Sequence, residues 1–199
     1  MKKALRGLSD IKLFKITENT EASYKVEATA KSLPYAQKLT REDKSSSDPI
    51  YADDNLYDDE EVIEGEDMEL TIPEADLESF PILEGGSFDA TTKEYSWGGN
   101  VGDEYGMTFK SKKKDGTFRM FRYYRVKFKK VKQDLNTQDN GTSINSLVVT
   151  LTAYRRAFIK SGEAVPLLRT YKDTTLETQT EDLKWLDTIP TMPETTPAG

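Results

Sequence analysis

"YGMTFKSKKKDGTFRMFRYYRVKFKK", Tyr105 to Lys130, is the clearest element in the chain. Tyr105, Met107 and Phe109 alternate with Gly106, Thr108 and Lys110. That period of two sends successive side chains to opposite faces of a strand. "KDG" at 114–116 is a hairpin turn signal, because Gly adopts the positive φ that tight turns need. After the turn, Phe118, Met120, Tyr124, Val126 and Phe128 form an apolar face, and Arg119, Arg125, Lys127 and Lys129 a basic one. Arg122 interrupts the apolar face, while Phe121 and Tyr123 fall on the basic one. The pattern predicts a β-hairpin with one face for a core and one charged face.

Other strands follow from the same alternation. Leu147, Val149, Leu151 and Ala153 alternate with Val148, Thr150, Thr152 and Tyr154, which reads as a central strand. Met68, Leu70 and Ile72 alternate with Glu69 and Thr71. Ile11 with Leu13, and Tyr24 with Val26 and Ala28, mark two more strands near the N-terminus. Tyr35–Leu39 and "VPLLRTYKD" at 165–173 are weaker candidates. "REDKSSSDP" at 41–49 and "SFDATTKEYSWGGNVGDEYG" at 87–106 read as loops. In "PEADLESFPILEGG", Pro73 suits the first turn of a helix with Leu77, Phe80 and Leu83 inward, and Gly85-Gly86 ends it. Pro81 makes that helix short, or broken after Phe80. The sum is seven or eight strands, one short flanking helix and long loop arms. This is a mostly β chain, a β-sandwich or barrel-like fold. Residues 1–178 are expected as a single domain with an acidic arm at about 41–66. Residues 179–199, rich in Thr, Glu and Pro, are expected as a mobile tail.

The composition closes off most chemistry. With neither Cys nor His among 199 residues, there is no thiolate nucleophile, no disulfide, no Cys-based metal site and no imidazole base. No phosphate-loop, nucleophile-elbow or dinucleotide motif is present. The chain is expected to be no enzyme, to carry no cofactor, and to be soluble and intracellular when made. No segment reaches about 18 consecutive apolar residues, so no membrane span is expected.

The charge is segregated. Tyr51–Phe80 holds thirteen Asp or Glu and no Lys or Arg, whereas Phe109–Lys132 holds eleven Lys or Arg and one Asp. "DDNLYDDEE" offers oxygen ligands for a hard cation but lacks EF-hand spacing, and a solvated loop or a partner-held arm reads equally well. The basic hairpin with Phe118, Phe121, Tyr123, Tyr124 and Phe128 suits base stacking on single-stranded nucleic acid, or else a core beneath a charged outer face. A monomeric nucleic-acid-binding module using 109–132 is therefore the alternative to any structural role.

The order of motifs adds a resemblance. "GLSDIKLFKIT", "IYADD" with its acidic continuation, "GEDMELTIPEADLESFPILEGGSFD", the hairpin above and "LNTQDNGTSINSLVVTLTAYRR" follow one another over about residues 7–160. Tyr51–Asp54, the strand–Pro–short-helix unit Leu70–Gly86, the Lys113–Phe128 hairpin, Thr137 and the pair Arg155-Arg156 carry it. In this the chain resembles the major tail tube proteins of long-tailed (siphovirus-type) phages and prophages of Gram-positive bacteria. The stretch after Gly162 shows little that matches.

The resemblance implies a virion protein, made in the bacterial cytoplasm, with a β-sandwich core and extended arms. It implies hexameric rings stacked into a hollow tube through which DNA passes without specific binding. The tape-measure, tail terminator and distal tail proteins are the partners it implies. Ring contacts join unlike surfaces and favour opposite charges. The candidate contact residues are accordingly Asp53, Asp54, Asp58, Asp59, Glu60 and Glu61 on the arm, and Arg119, Arg122, Arg125 and Lys127 on the hairpin. An acidic lumen, or pairing of both segments within one subunit, are the competing uses of the same charges.

Overall fold

The computed structural model describes residues 5–33, 35–52, 55–73, 76–100, 102–133 and 146–193, with the backbone alone for 47–52 and 55–62. The chain is mostly β, as expected. Its strands are β1 (Leu5–Asn19), β2 (Tyr24–Val26), β3 (Lys31–Leu33), β4 (Lys38–Ala52), β5 (Asn55–Ile72), β6 (Ser87–Asp89), β7 (Glu94–Ser96), β8 (Glu104–Lys113), β9 (Phe118–Gln133), β10 (Leu147–Tyr154) and β11 (Arg169–Asp173). Nine of these join one curled sheet in the order β2-β1-β8-β9-β10-β5-β4, with β3 on β1 and β11 on β9; β6 and β7 form a separate hairpin.

The principal core lies on one face of that sheet. Ile11 and Leu13 of β1, Met68, Leu70 and Ile72 of β5, Val149 and Leu151 of β10, and Phe121, Tyr123, Val126 and Phe128 of β9 meet there. The β9 faces differ from the simple alternation because of one bulge. Against β8, Tyr105 stands opposite Val126 but Met107 stands opposite Tyr123, so β9 spends one extra residue at Tyr124–Arg125. An extra residue in one strand flips the faces on either side of it. Phe121 and Tyr123 thus share the core face with Val126 and Phe128, while Tyr124 turns to a second cluster with Phe14, Tyr24, Ile189 and Met192.

That second cluster corrects the expectation for the C-terminal stretch. Residues 179–193 hold α2 (Gln179–Leu183) and a following 3-10 turn, Lys184–Asp187. Leu186, Ile189 and Met192 are buried, and Tyr24 exchanges backbone hydrogen bonds with Met192 at 2.7 and 2.8 Å. The apolar residues that secure the segment lie too far apart to show a period. Upstream, α1 (Phe80–Leu83) follows a 3-10 turn, Leu77–Ser79. Helix therefore forms later than Pro73 suggests, and Pro81 sits in the first turn of α1, where a missing N–H costs nothing. The flanking helices number two among the described residues.

Two loops expected from composition are strands. Residues 41–49 lie within β4, paired residue by residue with β5, and residues 87–96 fold into the β6–β7 hairpin. Backbone pairing to a neighbour outweighed the weak β-propensity of Ser and Asp. β10 and β11 sit in line along β9: Tyr154 is opposite Arg125, and Arg169 is opposite Tyr123. Residues 155–168 loop out between them, closed at the neck by a 3.1 Å hydrogen bond from Arg156 N to Leu167 O.

Candidate assembly interface

The acidic arm is a hairpin. β10 pairs with β5 from Ile72 to Gly65, and beyond Gly65 β4 and β5 continue with no third strand among the described residues through eight register pairs, Ser45–Ile63 to Ala52–Asn55. Between Ser45 and Glu64 the sequence has eight acidic residues and no basic one. Asp48 stands directly opposite Glu60, a like-charge cross-strand pair that opposes pairing. Asp58, Asp59, Glu60 and Glu61 fall on the described backbone of β5. Asp53 and Asp54 lie outside the described residues, as does Thr137.

The basic candidates are placed differently from one another. Arg119 donates to both carboxylate oxygens of Asp173, at 2.7 and 2.9 Å, and Lys113 meets the same carboxylate at 2.6 Å. The hydrogen bond from Arg119 leads in pulling the Asp173 carboxyl down to about 2. Arg125 makes the same fork with Glu104 at 2.8 Å twice, and its guanidinium lies over the Tyr154 ring. Arg122 is buried, stacks 3.8 Å from the Trp185 ring centre and donates to Trp185 O and Thr188 O. It holds the C-terminal segment on the sheet, and burial lowers its pKa. Three of the four basic candidates are thus engaged within the subunit. Lys127, like Lys130, has no carboxylate partner among the described residues.

The aromatics proposed for base stacking are mostly inside. Phe121, Tyr123, Tyr124 and Phe128 are all buried, and Phe121 stacks on the buried Phe109 at 4.6 Å between ring centres. Only Phe118 among the candidate aromatics is half-buried. These rings are spent on the cores and are not presented to a ligand.

At the root of the arm is a group that the sequence reading passed over. Glu66 is 1% exposed and points into the core side of β5. It accepts a hydrogen bond from Tyr123 Oη at 2.9 Å and forms ion pairs with Arg41 and Arg169. Arg41 also donates to Tyr123 and Tyr171, and Arg169 reaches Asp43 at 3.1 Å. Four strands, β4, β5, β9 and β11, are tied at this point. Burial pushes the Tyr123 phenol up, so it remains a neutral donor. The clue lay in the alternation: stepping back from Ile72, Leu70 and Met68 by two places Glu66 on the inner face.

A groove flanks the other half of β9. β8 ends its pairing at Glu104–Lys127, whereas β9 runs on to Gln133. The loop carrying Trp97, Gly99, Asn100 and Gly102 passes beside that stretch, leaving a groove lined by Lys127, Lys129 and Lys130 against a single carboxylate, Glu84. Trp97 is 57% exposed at its rim. Lys129 reaches Asp67 at 3.8 Å. No group of three or more potential metal ligands comes together among the described residues.

No family model matches the chain, and no curated protein matches it. Among solved structures, it is similar to a chain of the PVC sheath-tube complex of an extracellular contractile injection system in its extended state. The TM-score is 0.38 at 9% identity, covering 82% of this chain and 88% of that one. It is also similar to a chain of the baseplate of the anti-feeding prophage, with TM-score 0.36 and 7% identity over 85% of this chain and 93% of that one. Both scores fall below 0.5.

Proposed function

We propose that this chain is a self-assembling structural subunit of a hollow phage-type tail tube. In this reading six copies close a ring, rings stack, and the lumen conducts DNA, as the motif order resembling siphovirus-type tail tube proteins implies. The tape-measure, tail terminator and distal tail proteins would be its partners in the virion.

The observation that carries the reading is the acidic hairpin. Two strands extend past the sheet with no third strand on either side among the described residues. An isolated two-stranded hairpin is marginal in water, and this one sets acid opposite acid. Such an element is explained by a surface that covers it and supplies cations. Within the subunit Arg119, Arg122 and Arg125 already have partners, and Lys44 and Arg155 reach the arm only at its root, at Glu64 and Ile63 O; in this reading the rest of the arm meets another copy. A contact between unlike surfaces propagates, into rings where the rotation closes and into stacks where it does not.

Sedimentation velocity at rising protein concentration and at two salt concentrations tests this. The expected result is a species of six subunits and larger polymers, favoured by low salt because charge contacts are screened over about 8–10 Å near physiological ionic strength. A concentration-independent monomer at low salt, in protein competent to fold, would refute it.

A further inference from the structure

We infer that the acidic hairpin of one copy docks along the open edge of β9 in a second copy, in the groove bordered by Lys127, Lys130 and Trp97. This rests on the tube-subunit reading and names the surface that receives the arm.

Register gives the first argument. Gly65, Tyr154 and Arg125 lie in one row across the sheet, and Ile72, Leu147 and Gln133 in another. The arm leaves at the Gly65 row, and the groove opens toward the Gln133 row. At about 3.3 Å per residue, the ten residues from Gly65 to Asn55 carry the arm roughly 33 Å one way. The five from Arg125 to Lys130 carry the groove centre roughly 16 Å the other way. Even with its register shifts at Lys44/Ser45 and Ile50/Tyr51, the hairpin leaves the sheet away from its own groove and does not reach back across that span. Acidic arm and basic groove therefore sit at opposite ends of one sheet, the arrangement a head-to-tail stack requires.

Chemistry gives the second. Lys127 and Lys130 have no carboxylate partner among the described residues, while the arm holds eight acidic residues and no cation. Past Lys127, β9 has β10 on one side and no strand on the other among the described residues. Its edge can accept an added strand by main-chain hydrogen bonds. The half-exposed Trp97 ring supplies an apolar wall, so the docked strand is held by more than charge.

The test is a charge exchange between copies. One variant carries Lys127→Glu and Lys130→Glu, and the other Asp48→Lys, Asp58→Lys, Asp59→Lys, Glu60→Lys and Glu61→Lys, which leaves three acids against five lysines on the arm. Alone, the first has an acidic arm and an acidic groove, the second a basic arm and a basic groove. Each is expected to need on the order of tenfold more protein than wild type to polymerise. Mixed in equal amounts they are complementary at both contacts, and assembly near the wild-type concentration is expected, with the two alternating. Mixtures no better than the separate variants, or variants that polymerise like wild type, overturn the assignment. Wild type that never polymerises removes the tube reading itself, a distinguishable result. Circular dichroism and denaturation midpoints confirm that the variants fold. Independently of assembly-defective variants, a photo-crosslinking residue in place of Trp97 in the full chain is expected to capture peptide 45–64 of another copy. Capture of other segments only would also overturn it.

Discussion

Glu66→Ala is the substitution on which the account of the arm's root depends. The side chain is 2% exposed and is shared by Tyr123, Arg41 and Arg169, whose own side chains are 32% and 31% exposed for the two arginines. Removing one member of a buried ion pair costs about 3–5 kcal/mol, because the partner charge is left without compensation. Here both arginines reach water, and Arg169 keeps Asp43, so the low end applies, about 3 kcal/mol. For a chain of this length each kcal/mol moves Tm by about 2–4 °C, so a fall of about 6–12 °C is expected. Urea denaturation followed by tryptophan fluorescence gives the free energy, and calorimetry gives Tm. Glu66→Gln, which retains the Tyr123 hydrogen bond, should fall between Ala and wild type. Amide exchange in 44–64 should rise in both variants, since the network ties that hairpin to β9 and β11. A loss below about 1 kcal/mol for Glu66→Ala, with unchanged exchange, would refute the network's role.

Three further outcomes follow from neighbouring geometry. Gly65→Ala places a methyl 2.4 Å from Ala153 O, so β5 must move off β10; a loss of about 1–3 kcal/mol in denaturation is expected. Arg122→Met removes the donors to Trp185 O and Thr188 O, a loss of about 3 kcal/mol, and limited proteolysis should then cut between 174 and 190 while the rest of the chain persists. Asp173, lowered from 3.8 to about 2, contributes stability that is fully present above pH 3.8 and lost as pH falls through about 2. Tm of wild type should therefore drop more steeply than that of Asp173→Asn over that acid range, and parallel curves would refute the pairing.

Most of the sheet was legible because alternation is a local signal: β8, β10 and the end of β5 appear in the sequence where the structure has them. The faces of β9 were not, since a bulge leaves no mark in a run where every residue is aromatic or basic. The acidic arm was visible as charge but its strands were not, because Ser, Asp and Pro carry little β-propensity and pairing alone makes them extended. Of the charged candidates, residue type could not separate Arg119 and Arg125, closed by forks to Asp173 and Glu104, from Lys127, which has no carboxylate partner among the described residues; those partners lie 54 and 21 residues away. The packing of 179–193 rests on scattered Leu186, Ile189 and Met192, which no periodicity joins.

Electron microscopy of the purified full chain, concentrated at low salt, decides whether the acidic hairpin builds a tube. Rings of six and stacked tubes with a stain-filled lumen are expected, and their loss when Ser46–Ile63 is replaced by a two-residue turn. Dispersed single subunits for the wild-type chain, unchanged by that replacement, would contradict that role.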